Sequence, residues 1–263
     1  QFLTSQESTM RLLRQAAEKP GCCFDHDWAH PGVDVLFPGL VSIRAGSRLL
    51  ALNARSKAAA GDLRMALADT NTMFAMVEQA GSEPVPVGVM LAAGMDHMAC
   101  MTLEAVLASG EASEDELALL AVSDTLSFRR LFDRALWMEE AVGIATFCDY
   151  GATFRFADLL NSPRPSWEGE FLAPLYRVFM FEDDLASYRE VMKECRGLAE
   201  KPYYQASEDW QSLQKRLRGS TPGLLTNIMV PAVYQVAERA ADADARHRLA
   251  RLAIAVSRYR LAE

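Results

Sequence analysis

Apolar positions recur at helical spacing along most of the chain, and they are densest from Pro84 to Gly110, PVPVGVMLAAGMDHMACMTLEAVLASG. Between Val85 and Leu103 only Asp96, His97 and Thr102 are clearly polar. A surface helix carries one apolar stripe, whereas a helix that is apolar nearly all round is wrapped by protein or lipid. The run approaches the roughly 20 residues that span a bilayer. Yet Asp96 and His97 stand at its centre, where charge is costly, and no Lys or Arg flanks it closely. The pattern predicts a core helix over about 84–109, with the other helices packed around it.

Residues 5–18 suit a first amphipathic helix, with Ser5 or Ser8 as its cap. The stretch KPGCCFDHDWAHPGVDVLFPG that follows is rich in Pro, Gly and Asp. It reads as an irregular loop packed on the body by its Cys, Phe, Trp, Val and Leu residues. Segments 39–60 and 62–80, broken by Gly61-Asp62, form a helical hairpin. In the second, Leu63, Ala66, Leu67, Thr70, Met73, Phe74 and Val77 mark one apolar face. Over 39–80 the hairpin resembles one tetratricopeptide unit, but a single copy makes no array. Ser113-Glu114-Asp115-Glu116 has the form of a capping box. Further helices are expected over 126–148, 170–197 (bent at Pro174), 207–218, and from about 222 with a kink at Pro231. No segment alternates as a strand does. The prediction is an all-α fold of about eight or nine helices in antiparallel hairpins. It reads as a single all-helical domain, 1–263, with an alternative division into lobes 1–160 and 161–263 at the break made by Pro163 and Pro165.

Composition narrows the partners. The 263 residues are 50% hydrophobic and 24% charged, with a net charge of −8. That is globular, and it argues against nucleic acid or an anionic membrane surface as the main partner. The five cysteines, an odd and sparse set, make no disulfide scaffold and read as thiols packed like small hydrophobes. A chain that begins with Gln1 and stops inside the apolar-periodic IAVSRYRLAE reads as a piece of a longer protein.

Three clusters carry candidate chemistry. His97, Cys100 and Glu104 fall at i, i+3 and i+7, one helix face, and with the neighbouring methionines could hold zinc or Cu(I). Against this, Met and Cys also fill cores, and a buried His hydrogen-bonds locally. The loop Asp25-His26-Asp27-Trp28-Ala29-His30 gathers two acids and two imidazoles, so Asp25, His26, Asp27 and His30 are metal or acid–base candidates beside a reading as turn and capping residues. The acids Glu139-Glu140 and Glu182-Asp183-Asp184 read as solvated faces. His247, in DADARHRLAR, reads as a surface residue. No nucleophile elbow, phosphate loop or dinucleotide fingerprint occurs, so no catalytic or cofactor-binding residue is assigned and no cofactor is implied.

LFPGLVSIRAGSRLLALNARSKAAAGDLRMALAD, MLAAGMDHMACMTLEAVLASG and the terminal LARLAIAVSRYRLAE together resemble an uncharacterised all-helical family of planctomycete-type bacteria. That resemblance implies an extracytoplasmic domain held by a membrane anchor outside this chain, and it carries no catalytic residues. The expected function is a non-enzymatic protein-interaction or scaffolding domain of a bacterial envelope protein, with a protein or peptide partner in a groove. The expected location is periplasmic or extracytoplasmic, with the cytoplasm as alternative. The alternative functions are metal binding or metal-dependent catalysis at the Asp25–His30 loop or the His97/Cys100 face, and apolar small-ligand binding in a helical pocket.

Overall fold

A computed structural model describes residues 2–26, 37–153, 176, 178–219, 223, 226–227 and 230–263. The described residues form helices and connecting turns, with no strand among them, so the fold is all-α. The helices are α1 (Phe2–Ser5), α2 (Glu7–Ala17), α3 (Pro38–Ala59), α4 (Leu63–Gly81), α5 (Pro86–Ala108), α6 (Glu114–Leu117), α7 (Phe128–Thr153), α8 (Phe181–Ala199), α9 (Tyr203–Gly219) and α10 (Pro231–Ala262). Among the described residues there are ten helices against the expected eight or nine, since the short α1 lies ahead of the expected first segment 5–18. Pro231 begins α10, a position where the missing N–H costs little, and much of the stretch from 222 expected to lead into it lies outside the described residues. The expected bend at Pro174 and the lobe limit at 160–161 lie outside the described residues.

Two compact units partition the chain. Unit 1 takes Gln1–Asp25, Phe37–Leu131 and Arg239–Glu263, and unit 2 takes His26–Leu36 and Phe132–Glu238. In unit 1, α3, α4 and α5 pack on one another, and α2 lies against α3 and α4. The α3–α4 turn follows from its residues. Gly61 adopts φ +81, the left-handed region that glycine enters without a Cβ penalty. The Asp62 carboxylate then accepts from Met65 N–H as the N-cap of α4. Eight residues to either side, Asn53 Nδ2 donates to Asp69 Oδ2 at 2.6 Å, and Arg14 Nε of α2 donates to Asp69 Oδ1 at 2.7 Å. Asp69 is therefore buried but doubly held, which ties α2 to both arms of the hairpin.

The expected core helix forms as α5, but it is not wrapped all round. Gly88, Val89, Ala92, Ala93, Met95, Asp96, Ala99, Thr102, Leu103 and Val106 face inward. Val87, Met90, Gly94, His97, Met101 and Glu104 are exposed. Val, Met and Gly on the outer line make the composition almost uniform around the helix, which hides the outer face from a reading of the sequence. By length and composition α5 could cross a membrane, and half of its most apolar window is buried inside the protein.

In unit 2, Phe147 of α7 lies tilted against Tyr188 of α8 with ring centroids 5.3 Å apart, and the Tyr188 hydroxyl donates to Glu139 O at 2.8 Å. Phe132 lies 6.0 Å from Trp210 of α9. The acidic run Glu182-Asp183-Asp184 is not uniformly solvated. Asp184 is buried and accepts from Tyr176 Oη (2.7 Å), Thr226 Oγ1 (2.6 Å) and Thr226 N (3.2 Å). A Cβ on Gly223 would collide with this carboxylate, so glycine there lets the backbone close over it. Glu140 is bound by Arg196 at 2.7 Å, and burial pushes the Glu139 carboxyl above its usual range. The five cysteines form no disulfide.

The α3–α4 turn yields the first prediction. Asp62→Ala removes a cap worth about 1 kcal/mol, and the exposed Lys57–Asp62 pair at 3.5 Å adds little to that. The urea midpoint should fall accordingly, and an unchanged midpoint would show that the cap carries no stability.

Candidate functional site

Asp96 is fully buried at the middle of α5, so its carboxylate needs partners. The principal one is His247 of α10, whose Nδ1 lies 2.7 Å from Asp96 Oδ1. His247 is 3% exposed, which corrects the surface position expected from its charged neighbours. A helix sets consecutive side chains about 100° apart, so Arg246 and Arg248 say little about the direction taken by His247. The informative positions are Ala243, Ala250 and Ile254, all buried and all at helical spacing from it.

The protonation of the pair follows from its contacts. His247 Nε2 lies 2.9 Å from Ser123 O, a carbonyl that only accepts, so Nε2 carries a hydrogen. Nδ1 faces the Asp96 carboxylate and donates there, making His247 an imidazolium. Burial alone would lower its pKa. The hydrogen bond to Asp96, the contact with Ser123 O and the attraction of Asp96 outweigh that, despite the opposing charge of Arg251, and hold it above the ordinary histidine range. Phe74 and Phe128 meet the imidazole edge-on, at 5.9 and 6.4 Å between centroids. Cys100, one turn beyond Asp96, donates its thiol to Asp96 Oδ2 at 3.6 Å, and burial followed by the Asp96 charge raises its pKa far above the usual thiol value.

Asp96, His247 and Ser123 have the residue types of a hydrolytic triad but not its geometry. The imidazole reaches the serine carbonyl, while Ser123 Oγ lies 3.2 Å from Thr125 Oγ1 and accepts from Leu126 N–H. The arrangement holds backbone in place instead of activating a hydroxyl. Two further α10 side chains act in the same way on the connection between α6 and α7. The Asp244 carboxylate accepts from Phe128 N (2.7 Å) and Arg129 N (3.2 Å), capping the start of α7 from another helix. Arg258 Nη2 donates to Leu117 O (2.8 Å) and Leu120 O (3.2 Å). Asp244, His247 and Arg258 thus satisfy five backbone groups within and at the two ends of the α6–α7 connection, which fixes both its path and the rotation of α10.

That rotation decides what α10 shows to solvent. Leu249, Leu252, Val256 and Tyr259 are 63%, 59%, 42% and 63% exposed. Their 3-4-3 spacing aligns them in a line lying roughly 180° around the helix from Ala243, His247, Ala250 and Ile254. Isolated exposed apolar side chains are ordinary, whereas these four lie in one line along the helix. The sequence carried this signal in LARLAIAVSRYRLAE, where two interleaved apolar rows share one helix.

His97 and Glu104 are exposed, Cys100 is half-buried against Asp96, Asp25 is exposed and His26 is half-buried. Asp27 and His30 lie outside the described residues. Among the described residues, no three His, Cys, Asp or Glu side chains are grouped to hold a metal ion. No protein-family model, curated protein or solved structure matches the chain.

Two predictions follow from the buried pair. His247→Leu alone leaves Asp96 buried without its counter-ion and should cost about 3–5 kcal/mol. Combined with Asp96→Val, the loss should be smaller than the sum of the two single losses by about 1–3 kcal/mol. Strict additivity in chemical denaturation would show that the pair is not coupled. The second concerns pH. An imidazolium favoured in the folded state contributes fully below the unfolded histidine pKa of about 6.5. That contribution is lost as pH rises through the raised folded value. Melting temperature should therefore fall with rising pH across that window in the wild-type protein and less so in His247→Gln. Parallel profiles for the two proteins would remove the assignment.

Proposed function

We propose that the chain is a helical protein-interaction domain whose binding surface is the outward row Leu249, Leu252, Val256 and Tyr259 on α10. The observation that carries this reading is the aligned exposure of four large apolar side chains on a helix whose opposite face is anchored by buried hydrogen bonds. A surface helix normally has one apolar stripe and turns it inward. A second stripe, held outward by Asp244, His247 and Arg258, is explained by something that covers it. The outer line of α5, with Val87, Met90 and Met101, is a further apolar surface of unit 1. Placement on the outer side of a bacterial inner membrane rests on the sequence resemblance to anchored extracytoplasmic proteins.

A photo-crosslinking residue tests the surface directly. Introduced at Leu252 in the parent organism, it should give an adduct with another polypeptide. At exposed Glu190 of α8 it should give none, and Leu249→Lys with Val256→Lys should abolish the Leu252 adduct. Equal adducts at both positions, or none at Leu252, would overturn the reading.

A further inference from the structure

The charge around the exposed row identifies the kind of partner, on the premise that this row is the binding surface. From Ala245 to Ala262 the sequence holds five arginines, Arg246, Arg248, Arg251, Arg258 and Arg260, and no acid, in a chain where acids outnumber bases 35 to 27. The acids at either end are engaged. Asp242 pairs with Arg246 at 2.6 Å, Asp244 caps α7, and Glu263 accepts from the Tyr259 hydroxyl. Arg258 is committed to the Leu117 and Leu120 carbonyls, whereas Arg248 and Arg260 are exposed.

With Leu249 and Val256 at a positions and Leu252 and Tyr259 at d, Arg248 falls at g and Arg260 at e. These are the flanking positions where coiled coils choose partners by charge. The large apolar side chains of the row span roughly 80° of the helix, a narrow seam of the coiled-coil kind and not the broad apolar face of a helix lying in a membrane surface. A second copy would bring two acid-free, arginine-rich segments together with no opposite charge between them. We propose that the exposed α10 seam docks an amphipathic helix of another protein, one with Leu-type residues at its own a and d positions and Glu or Asp beside them.

The test uses the whole chain and three probes. The first is a synthetic four-heptad peptide with Leu at a and d and Glu at e and g, kept from pairing with itself by its own charge. The second is the same peptide with Lys for Glu, and the third is vesicles containing an anionic phospholipid. The Glu peptide should bind, weaken as salt rises, and weaken by about tenfold or more with Leu252→Ala, as expected for losing a buried leucine. Arg248→Glu with Arg260→Glu should exchange the preference, so that the Lys peptide binds and the Glu peptide does not. Both arginines are exposed, so the double variant should keep the wild-type circular dichroism and melting temperature.

Equal binding of the two peptides would overturn the charge assignment. Self-association in sedimentation that Leu252→Lys abolishes would assign the seam to a second copy, and seam-dependent vesicle binding would assign it to a membrane. Either result overturns the proposal. Failure of both peptides with a crosslinked adduct at Leu252 would end the acidic-helix inference while keeping the interaction reading. Failure of both with no adduct would end both.

Discussion

The seating of α10 in unit 1 depends on one buried contact, Asp96 to His247. A carboxylate at the centre of an apolar helix has no water to turn to, so its cost must be met by protein. His247 meets it from α10, more than a hundred residues away in sequence, and its other nitrogen holds Ser123 O. One side chain thereby joins α5, α10 and the irregular segment between α6 and α7. Asp244 and Arg258, placed before and after it on the same helix, secure the two ends of that segment. An irregular connection packed on a body carries polar backbone groups that secondary structure does not satisfy. Here α10 supplies partners for Leu117 O, Leu120 O and Ser123 O, beside Asn71 of α4, which accepts from Ala121 N–H, so α10 is part of the fold and not an appended tail.

Among the described residues three aspartates are buried, and each is partnered differently. Asp69 has Arg14 and Asn53, a cation and an amide that link α2 to the hairpin. Asp96 has an imidazolium held above the ordinary histidine range, with the Cys100 thiol on its other oxygen. Asp184 receives Tyr176 and Thr226 hydroxyls and a backbone N–H, and sits under Gly223. In each case the carboxylate bridges segments distant in sequence. This is where directional contacts add what non-directional apolar burial cannot, a particular register.

Much of the architecture was legible in the sequence because local signals and helical period agree there. Gly61-Asp62 marked the α3–α4 turn, Ser113 and Glu116 form both halves of the capping box, and the apolar face of α4 is the buried one. The site was less legible for a definite reason. Asp96 and His97 stood out together as the anomaly of α5, but adjacent helix positions diverge, and only Asp96 points inward while His97 is exposed. The partner was masked in the same way, since His247 sits among Asp242, Asp244, Arg246 and Arg248, whose charges suggest solvent for all of them. Asp184 was likewise concealed in an acidic run. Local charge density averages over directions that a helix separates, and a single buried polar residue within it becomes visible only when its apolar neighbours at three and four residues are traced.

The same separation of directions explains why α10 needs a polar anchor at all. Its final turns carry apolar residues on two opposite sides, Ala243, Ala250 and Ile254 on one and Leu249, Leu252, Val256 and Tyr259 on the other. Over these turns the second set carries the larger apolar side chains, so apolar burial there does not by itself select the observed rotation. Turning the helix half a revolution would carry His247 into solvent, strand the Asp96 carboxylate in the core, and release Ser123 O, Leu117 O, Leu120 O and the α7 N-terminus together. It would also press Arg248 and Arg260 against the body. The buried ion pair therefore need not add net stability to be decisive. It makes one rotation of α10 compatible with a satisfied core, and in doing so keeps the larger apolar side chains facing outward.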